Sequence, residues 1–150
     1  MDDIKALMAW GMLLVTETAQ FLVGAVILAF AIIALWKLFQ KAGQKGWKIL
    51  IPGYNIYTMY KIAWNVSMFW MIIIASVSGL VLVCLFPNML GSILLILCYL
   101  AVLIIDIIFH VKLAAAYGKS GGFAVGLIFL PLIFIMILGL GKAKYIGPQI

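Results

Sequence analysis

Residues 66–86 read VSMFWMIIIASVSGLVLVCLF, which is twenty-one positions without one charged side chain. A helix needs about 20 predominantly apolar residues to cross the ~30 Å hydrocarbon core of a bilayer. Because lipid offers no hydrogen-bond partners, a chain that crosses it must pair its own backbone groups, as a helix does. Residues 66–86 are therefore predicted to be a membrane-spanning helix.

Three further apolar runs flank this stretch. The turn over 86–91, FPNMLG, leads into a run over 89–116 that is interrupted by Asp106 and His110. An earlier run covers 17–38, and a final one covers 122–141 with Pro131 near its middle. We predict spans at 17–38, 66–86 and 89–116. The last run either crosses as a fourth span or enters the bilayer and returns at Pro131, since proline interrupts helices.

The composition supports the same fold class. Of 150 residues, 68% are hydrophobic and 9% are charged, whereas about 25% of the residues in a soluble domain are charged. A water-soluble globule of this size could not cover its surface with so few polar side chains. We predict an all-α fold, a polytopic transmembrane helical bundle with three to four spans plus an interfacial helix, forming one integral membrane domain over residues 1–150.

The segment 46–61 is too short and too polar to cross a bilayer. It is rich in aromatic residues, which concentrate at the membrane–water interface. The predicted interfacial anchors are Trp47, Tyr54, Tyr57 and Trp64. We therefore expect a turn at residues 51–53 followed by an interfacial helix.

All ten basic residues are lysines, and four of them recur at four-four-three spacing: Lys37, Lys41, Lys45 and Lys48. We predict that this group is lipid-facing and meets anionic headgroups. The alternative is that these lysines only set the topology of the chain. The net charge of +6 does not indicate nucleic acid, because no basic patch is interleaved with aromatic residues as in single-strand-binding proteins.

The lysines also predict an orientation, because cytoplasmic loops carry an excess of Lys. Segment 36–61 and the pair Lys112 and Lys119 fall on the same side of three spans, which we expect to be the cytoplasm. The N-terminus is then outside. Lys142 and Lys144 lie outside if the last run crosses, and inside if it returns.

Asp106 and His110 are the sharpest polar feature of the sequence. They are four residues apart, so on a helix they share a face. An ionisable group in hydrocarbon is costly and by default indicates a functional site. We predict a polar intramembrane site at Asp106 and His110 that serves as a proton relay, an ion site or a polar lining. The alternative is a structural hydrogen bond between helices. No third ligand accompanies the pair, so we predict no metal, no cofactor and no catalytic residue.

Five short motifs together resemble a known family. They are KAGQKGW at 41–47, IPGYNIY at 51–57, AYGKSGGF at 116–123, IFLPLIF at 128–134 and GLGKAKY at 139–145. The set is similar to an uncharacterised family of small bacterial multi-span membrane proteins, some of whose members are labelled signal peptidase I. The resemblance implies a location in the bacterial cytoplasmic (inner) membrane. The enzyme label does not fit, because Lys119 and Ser120 fall on the predicted cytoplasmic side and no segment is long enough for a β-rich catalytic domain.

These observations predict a non-enzymatic protein of the lipid bilayer. We expect an oligomeric pore or a transport or permeation component, built from several copies of the chain, because three or four short spans enclose little volume. The alternative is an accessory subunit that binds a membrane protein partner through its cytoplasmic loops.

Overall fold

A computed structural model describes residues 2–148, and those residues are helical wherever they are regular. Six α-helices follow one another, with a short 3₁₀ helix, Gly46–Leu50, between the first two. They are α1 (Asp2–Lys41), α2 (Tyr54–Ala63), α3 (Val66–Leu85), α4 (Met89–Ala116), α5 (Gly121–Phe129) and α6 (Pro131–Leu140). Within the described range, three helices are long and apolar enough to cross a membrane: α1 from Trp10, α3 and α4. The predicted all-α membrane fold is confirmed.

Helices α3 and α4 form an antiparallel hairpin. Asn88 starts α4 by accepting a hydrogen bond from the Gly91 N–H at 3.2 Å, as N-cap residues do. Gly79 in α3 lies so close to α4 that an added methyl group would sit 3.2 Å from the Cys98 Cβ. Val66 and Val111 are each thirteen residues from this contact, so they lie at the same level of the hairpin. Since 20 residues of helix measure about 30 Å, α3 by itself matches the bilayer thickness.

Two glycines end the long helices in the same way. Gly43 follows α1 with a φ of 69°, and Gly118 follows α4 with a φ of 67°. Only glycine adopts this left-handed conformation without steric strain. It lets the chain leave the helix while the N–H groups that follow donate hydrogen bonds to the last helical carbonyls. The Gln44 N–H donates to Phe39 and the Lys119 N–H donates to Ala114.

Helices α5 and α6 fold back on each other. Leu130 separates them with non-helical torsion angles, φ −133° and ψ 58°, since a residue before proline avoids the helical region. The rings of Phe123 and Phe134 meet with centroids 4.9 Å apart, whereas eleven residues of continuous helix would hold them about 16 Å apart. The last apolar run, over 122–141, for which crossing and return at Pro131 were both predicted as alternatives, is thus two short helices, and neither is long enough to cross a bilayer by itself.

The α5–α6 hairpin is fixed to the last turns of α1 and α4. Gly139 in α6 touches the backbone of Ala34 in α1, which only a residue without a side chain permits. The Lys41 ammonium donates to the carbonyls of Leu138 and Gly141, both at 2.7 Å. The Tyr117 hydroxyl donates to the Leu38 carbonyl at 2.8 Å. The buried core therefore lies where α1 and α4 end.

The first part of α1 is separate from this core. Every side chain that the structure describes from Ile4 to Phe30 is exposed, and burial begins at Ala31. The predicted span over 17–38 is therefore the second part of a longer helix, and the described side chains of its upstream turns have no other part of the chain packed against them. Apolar side chains exposed over this length require lipid or another protein around them.

Candidate functional site

A cavity of about 580 Å³ opens among the helices at the same end of the protein. Its wall comes from the end of α1, the 3₁₀ helix, α2, the first turns of α3, the later turns of α4, and α6. Most of the lining is apolar and includes Leu35, Ile49, Phe69, Ile72, Leu103 and Phe109. Three polar side chains interrupt it: Asn55, Tyr60 and Asp106. A mostly apolar concavity with a few polar groups is the usual form of a small-molecule site.

Aromatic rings from three helices form one side of the cavity. Tyr60 in α2 stacks on Phe109 in α4, with centroids 4.4 Å apart, and lies 6.2 Å from Phe69 in α3. Tyr57 meets the edge of the same Phe69 ring at 5.6 Å. Such contacts hold the rings in fixed orientations, so the cavity wall has a defined shape.

The Tyr60 hydroxyl keeps its proton over a wide pH range. Burial, and secondly the negative charge of Asp106, raises the pKa of Tyr60 to about 12. Among residues 2–148 its hydroxyl makes no hydrogen bond. It can therefore donate to, or accept from, a molecule in the cavity.

Asp106 and His110 are in contact, as their spacing predicts. The His110 Nδ1 lies 3.4 Å from one Asp106 carboxylate oxygen and 2.8 Å from the Asp106 main-chain carbonyl. The Asp106 side chain is 52% exposed, whereas that of His110 is 16% exposed. Asp106 lines the cavity and His110 does not.

The register of the α3–α4 hairpin gives the position of this pair along the two helices. Val111 is level with Val66, where the 20-residue span begins. Asp106 is five residues further in, which corresponds to about 7.5 Å along the helix. Asp106 therefore lies nearer to the lysine-bearing end of α4 than to the α3–α4 turn.

The four predicted lipid-facing lysines have different environments. Lys37 and Lys45 are exposed. Lys41 donates to carbonyls at the end of α6. Lys48 donates to the Gln44 side chain at 2.7 Å, and its ammonium lies 5.4 Å from the centre of the Tyr54 ring. Since α1 ends at Lys41, the four do not share one helical face.

The predicted interfacial anchors lie in α2, directly after it, or in the 3₁₀ helix before it. Tyr54 and Tyr57 stack with centroids 5.7 Å apart, and Trp47 is exposed before the turn. The Lys112 ammonium lies 6.0 Å from the centre of the Trp64 ring, a cation–π contact. This contact ties the end of α2 to the last turns of α4, so the anchors and the cavity are at one level.

Sequence reasoning did not identify the cavity, or the role of Asn55, Tyr60 and Phe109 in its wall. Tyr60 could be recognised only as one more interfacial aromatic residue. Which helix its ring meets depends on tertiary packing, and no local pattern in α2 encodes that. Within residues 2–148 no three His, Cys, Asp or Glu side chains are grouped so as to hold a metal ion.

Residues 47–148 match the model of a family of unknown function, DUF5684. This chain belongs to DUF5684. The expected resemblance to an uncharacterised family is thereby confirmed at the level of the family. No curated protein and no solved structure matches the chain. The DUF5684 segment contains most of the cavity wall, from Ile49 to Ile135, whereas Leu35 and Phe39 of α1 lie before it.

Proposed function

We propose that this membrane protein is a non-enzymatic transport or permeation component that holds a membrane-soluble, amphiphilic molecule in the cavity between α2, α3 and α4. The observation that carries the proposal is the cavity itself, an apolar space of about 580 Å³ with one carboxylate in its wall. Pockets of roughly 300–1,000 Å³ hold small organic ligands. The chain would act as an oligomer, since the apolar side chains described from Ile4 to Phe30 have no other part of the same chain packed against them.

The level of the cavity supports a ligand that comes from lipid. With the hydrocarbon layer beginning at Val66, Asp106 would lie about 7.5 Å inside its edge, and the apolar wall continues along α3 and α4 beside it. A molecule with an apolar body and a polar end would place the body among Ile72, Leu103 and Phe109, with its polar end toward Asn55, Tyr60 and Asp106. The wall contains one carboxylate, one phenol and one amide, and these three groups can form hydrogen bonds with the polar end of such a ligand.

The distribution of lysines supports an orientation in which this end faces the cytoplasm. Lys112 is beside Trp64, and Lys41 is bonded to the end of α6, so the lysine-bearing loops meet at one end of the bundle. Nine of the ten lysines belong to this end, and the tenth, Lys5, is at the far end of α1. Cytoplasmic loops are enriched in lysine. The cavity would then open toward the inner leaflet of a cell membrane, with the start of α1 outside.

The proposal can be tested in proteoliposomes. A long-chain amphiphile with a fluorescent NBD label is placed in both leaflets, and external dithionite then reports how fast the label moves outward. Wild type is expected to accelerate the movement over empty liposomes. Ile72→Trp fills the cavity and should abolish the acceleration. Ile74→Trp is the matched control, because Ile74 is exposed on the same helix outside the cavity wall.

Two results would overturn transport. One is movement in wild-type liposomes no faster than in empty ones, and the other is equal rates for Ile72→Trp and wild type. If inactive wild type co-purifies with a stoichiometric membrane protein, the accessory-subunit alternative is favoured instead. Proton flux measured in the same liposomes separates a pore from a carrier: a pore lined by Asp106 conducts in wild type and loses conductance in Asp106→Asn.

A further inference from the structure

We infer that the cavity selects a single-chain amphiphile whose head is a protonated amine, with Asp106 as the residue that recognises the charge. This inference rests on the proposed function, because it names the ligand class of the same cavity. It is carried by the sign of the charge in the wall, by the rings beside that charge and by the size of the space.

The charge inside the cavity is negative, although the protein as a whole is strongly basic. Asp106 lines the cavity, and none of the ten lysines does. Lys41 is bonded to α6, and Lys112 lies over Trp64. An anionic head would meet the Asp106 carboxylate without a compensating cation, whereas an ammonium would form a charge-assisted hydrogen bond with it.

The Asp106 carboxylate is available for a ligand. His110 approaches only one of its two oxygens, at 3.4 Å, and the His110 Nδ1 lies closer to the main-chain carbonyl, at 2.8 Å. Among residues 2–148 the second carboxylate oxygen has no hydrogen-bond partner. Half of the side chain is exposed, so a ligand reaches it without displacing protein.

Aromatic rings add to the selection of a cation. Tyr60, Phe69 and Phe109 stand in the wall with Asp106, and ring faces attract ammonium groups at distances within about 6 Å. The neutral Tyr60 hydroxyl and the Asn55 amide provide further polar contacts. A carboxylate that shares the cavity wall with aromatic rings favours an amine over an alcohol or an acid of the same chain length.

The volume favours one chain over two. A cavity of about 580 Å³ is within the range of drug-sized ligands, and a phospholipid with two full acyl chains exceeds it. The proposed occupant is therefore a free long-chain amine and not a lipid of the surrounding bilayer.

The test uses the full chain in nanodiscs of phosphatidylcholine and three spin-labelled probes with the same alkyl chain, which end in an amine, an alcohol or a carboxylate. Electron paramagnetic resonance measures the motionally restricted fraction of each probe, with empty nanodiscs as the partition reference. We expect wild type to bind the amine about fivefold more tightly than the alcohol, a partly exposed charge pair being worth about this factor. The carboxylate should bind more weakly than the alcohol.

Variants assign the selectivity to one residue. Asp106→Asn should bring amine binding down to the level of the alcohol and leave alcohol binding unchanged. Glu17→Gln is the control, because Glu17 is an acid of α1 that does not line the cavity, and it should keep the fivefold preference. Ile72→Trp should remove the restricted fraction of all three probes.

The outcomes separate this inference from the proposed function. Equal binding of amine and alcohol by wild type overturns amine selection, whether or not the variants fold, and it leaves cavity binding intact. Amine preference that survives in Asp106→Asn, or is lost in Glu17→Gln, also overturns it. A restricted fraction unchanged by Ile72→Trp overturns both.

Discussion

The Ile146 N–H donates a hydrogen bond of 2.8 Å to the carbonyl of Ala116. This one bond joins the residue that ends α4 to the chain that follows α6, thirty residues later. The α5–α6 hairpin therefore begins and ends at the same level of the protein. Tyr145, the neighbour of Ile146, reinforces the connection, since its hydroxyl donates to the Ile62 carbonyl at the end of α2.

The first prediction concerns which side of the membrane this chain end occupies. In a background with Cys84 and Cys98 replaced by alanine, single cysteines are introduced at Lys45, Pro87 and Lys144. A membrane-impermeant maleimide applied to intact cells should label Pro87→Cys, in the α3–α4 turn, and leave Lys45→Cys and Lys144→Cys unlabelled until the cells are opened. The reason is that α3 and α4 separate the turn from the lysine-rich end.

Joint labelling of Pro87→Cys and Lys144→Cys in intact cells would contradict this topology. It would mean that residues 121–140 cross the bilayer after all. Labelling of both Lys45→Cys and Lys144→Cys in intact cells, with Pro87→Cys protected, would reverse the orientation of the whole protein but leave the hairpin in place.

The second prediction concerns Lys41, whose ammonium binds two carbonyls at the end of α6. A cation at a helix C-terminus is stabilising, and a hydrogen bond to a charged group is worth about 1.5–3 kcal/mol. Lys41→Met should lower the free energy of unfolding by about 1–3 kcal/mol, measured by circular dichroism in mixed micelles. Lys45→Met is the matched control, because Lys45 is exposed; an equal loss in both variants would refute the capping role.

The third prediction concerns the close contact between α6 and α1. A methyl group on Gly139 would lie well inside the van der Waals contact distance from the Ala34 carbonyl oxygen, so Gly139→Ala must push the two helices apart. Overpacking of this kind typically costs about 1–3 kcal/mol, measured in the same unfolding assay. Gly24→Ala, on the exposed part of α1 with open space around it, should cause no loss. Equal stability of Gly139→Ala and wild type would show that α6 does not pack closely on α1.

Local signals in the sequence predict the boundaries of α3 and α4. Asn65 and Asn88 stand where each helix starts, and each accepts a hydrogen bond from an N–H of the first turn. Gly118 ends α4 because only glycine takes its left-handed conformation without strain. Each of these features acts over four or five residues of chain, so reading the sequence in order is enough to find it.

Tertiary packing decides the remaining features, and for that reason the sequence left them open. Pro131 is compatible with a kinked span or with a turn, and the choice depends on whether Phe134 can reach Phe123 and Gly126. The cavity exists because Tyr60 meets Phe109 across forty-nine residues of sequence. Asp106 could be identified from the sequence by its charge alone. The residues that form the cavity wall with it, such as Tyr60 and Phe109, are brought there by the fold.

The fourth prediction concerns alkaline pH. The ordinary pKa of a tyrosine is 10.0, and that of Tyr60 is raised to about 12 in the folded protein. Because the folded state holds the proton more tightly, the stabilising contribution of Tyr60 is fully present below pH 10 and is lost as the pH rises from 10 to 12. Wild type should therefore lose stability relative to Tyr60→Phe across this window, measured as the unfolding midpoint in micelles.

The region below pH 10 is the internal control, because there the difference between wild type and Tyr60→Phe should be constant. A difference that stays constant up to pH 12 would refute the raised pKa. Asp106→Asn separates its two causes. Burial is the larger cause and the Asp106 charge the smaller. Removing the charge should therefore lower the upper end of the pH range over which stability is lost, but the loss itself should remain. If the stability difference between Asp106→Asn and the matching double variant with Tyr60→Phe no longer changes between pH 10 and 12, the carboxylate and not burial controls the pKa of the Tyr60 hydroxyl.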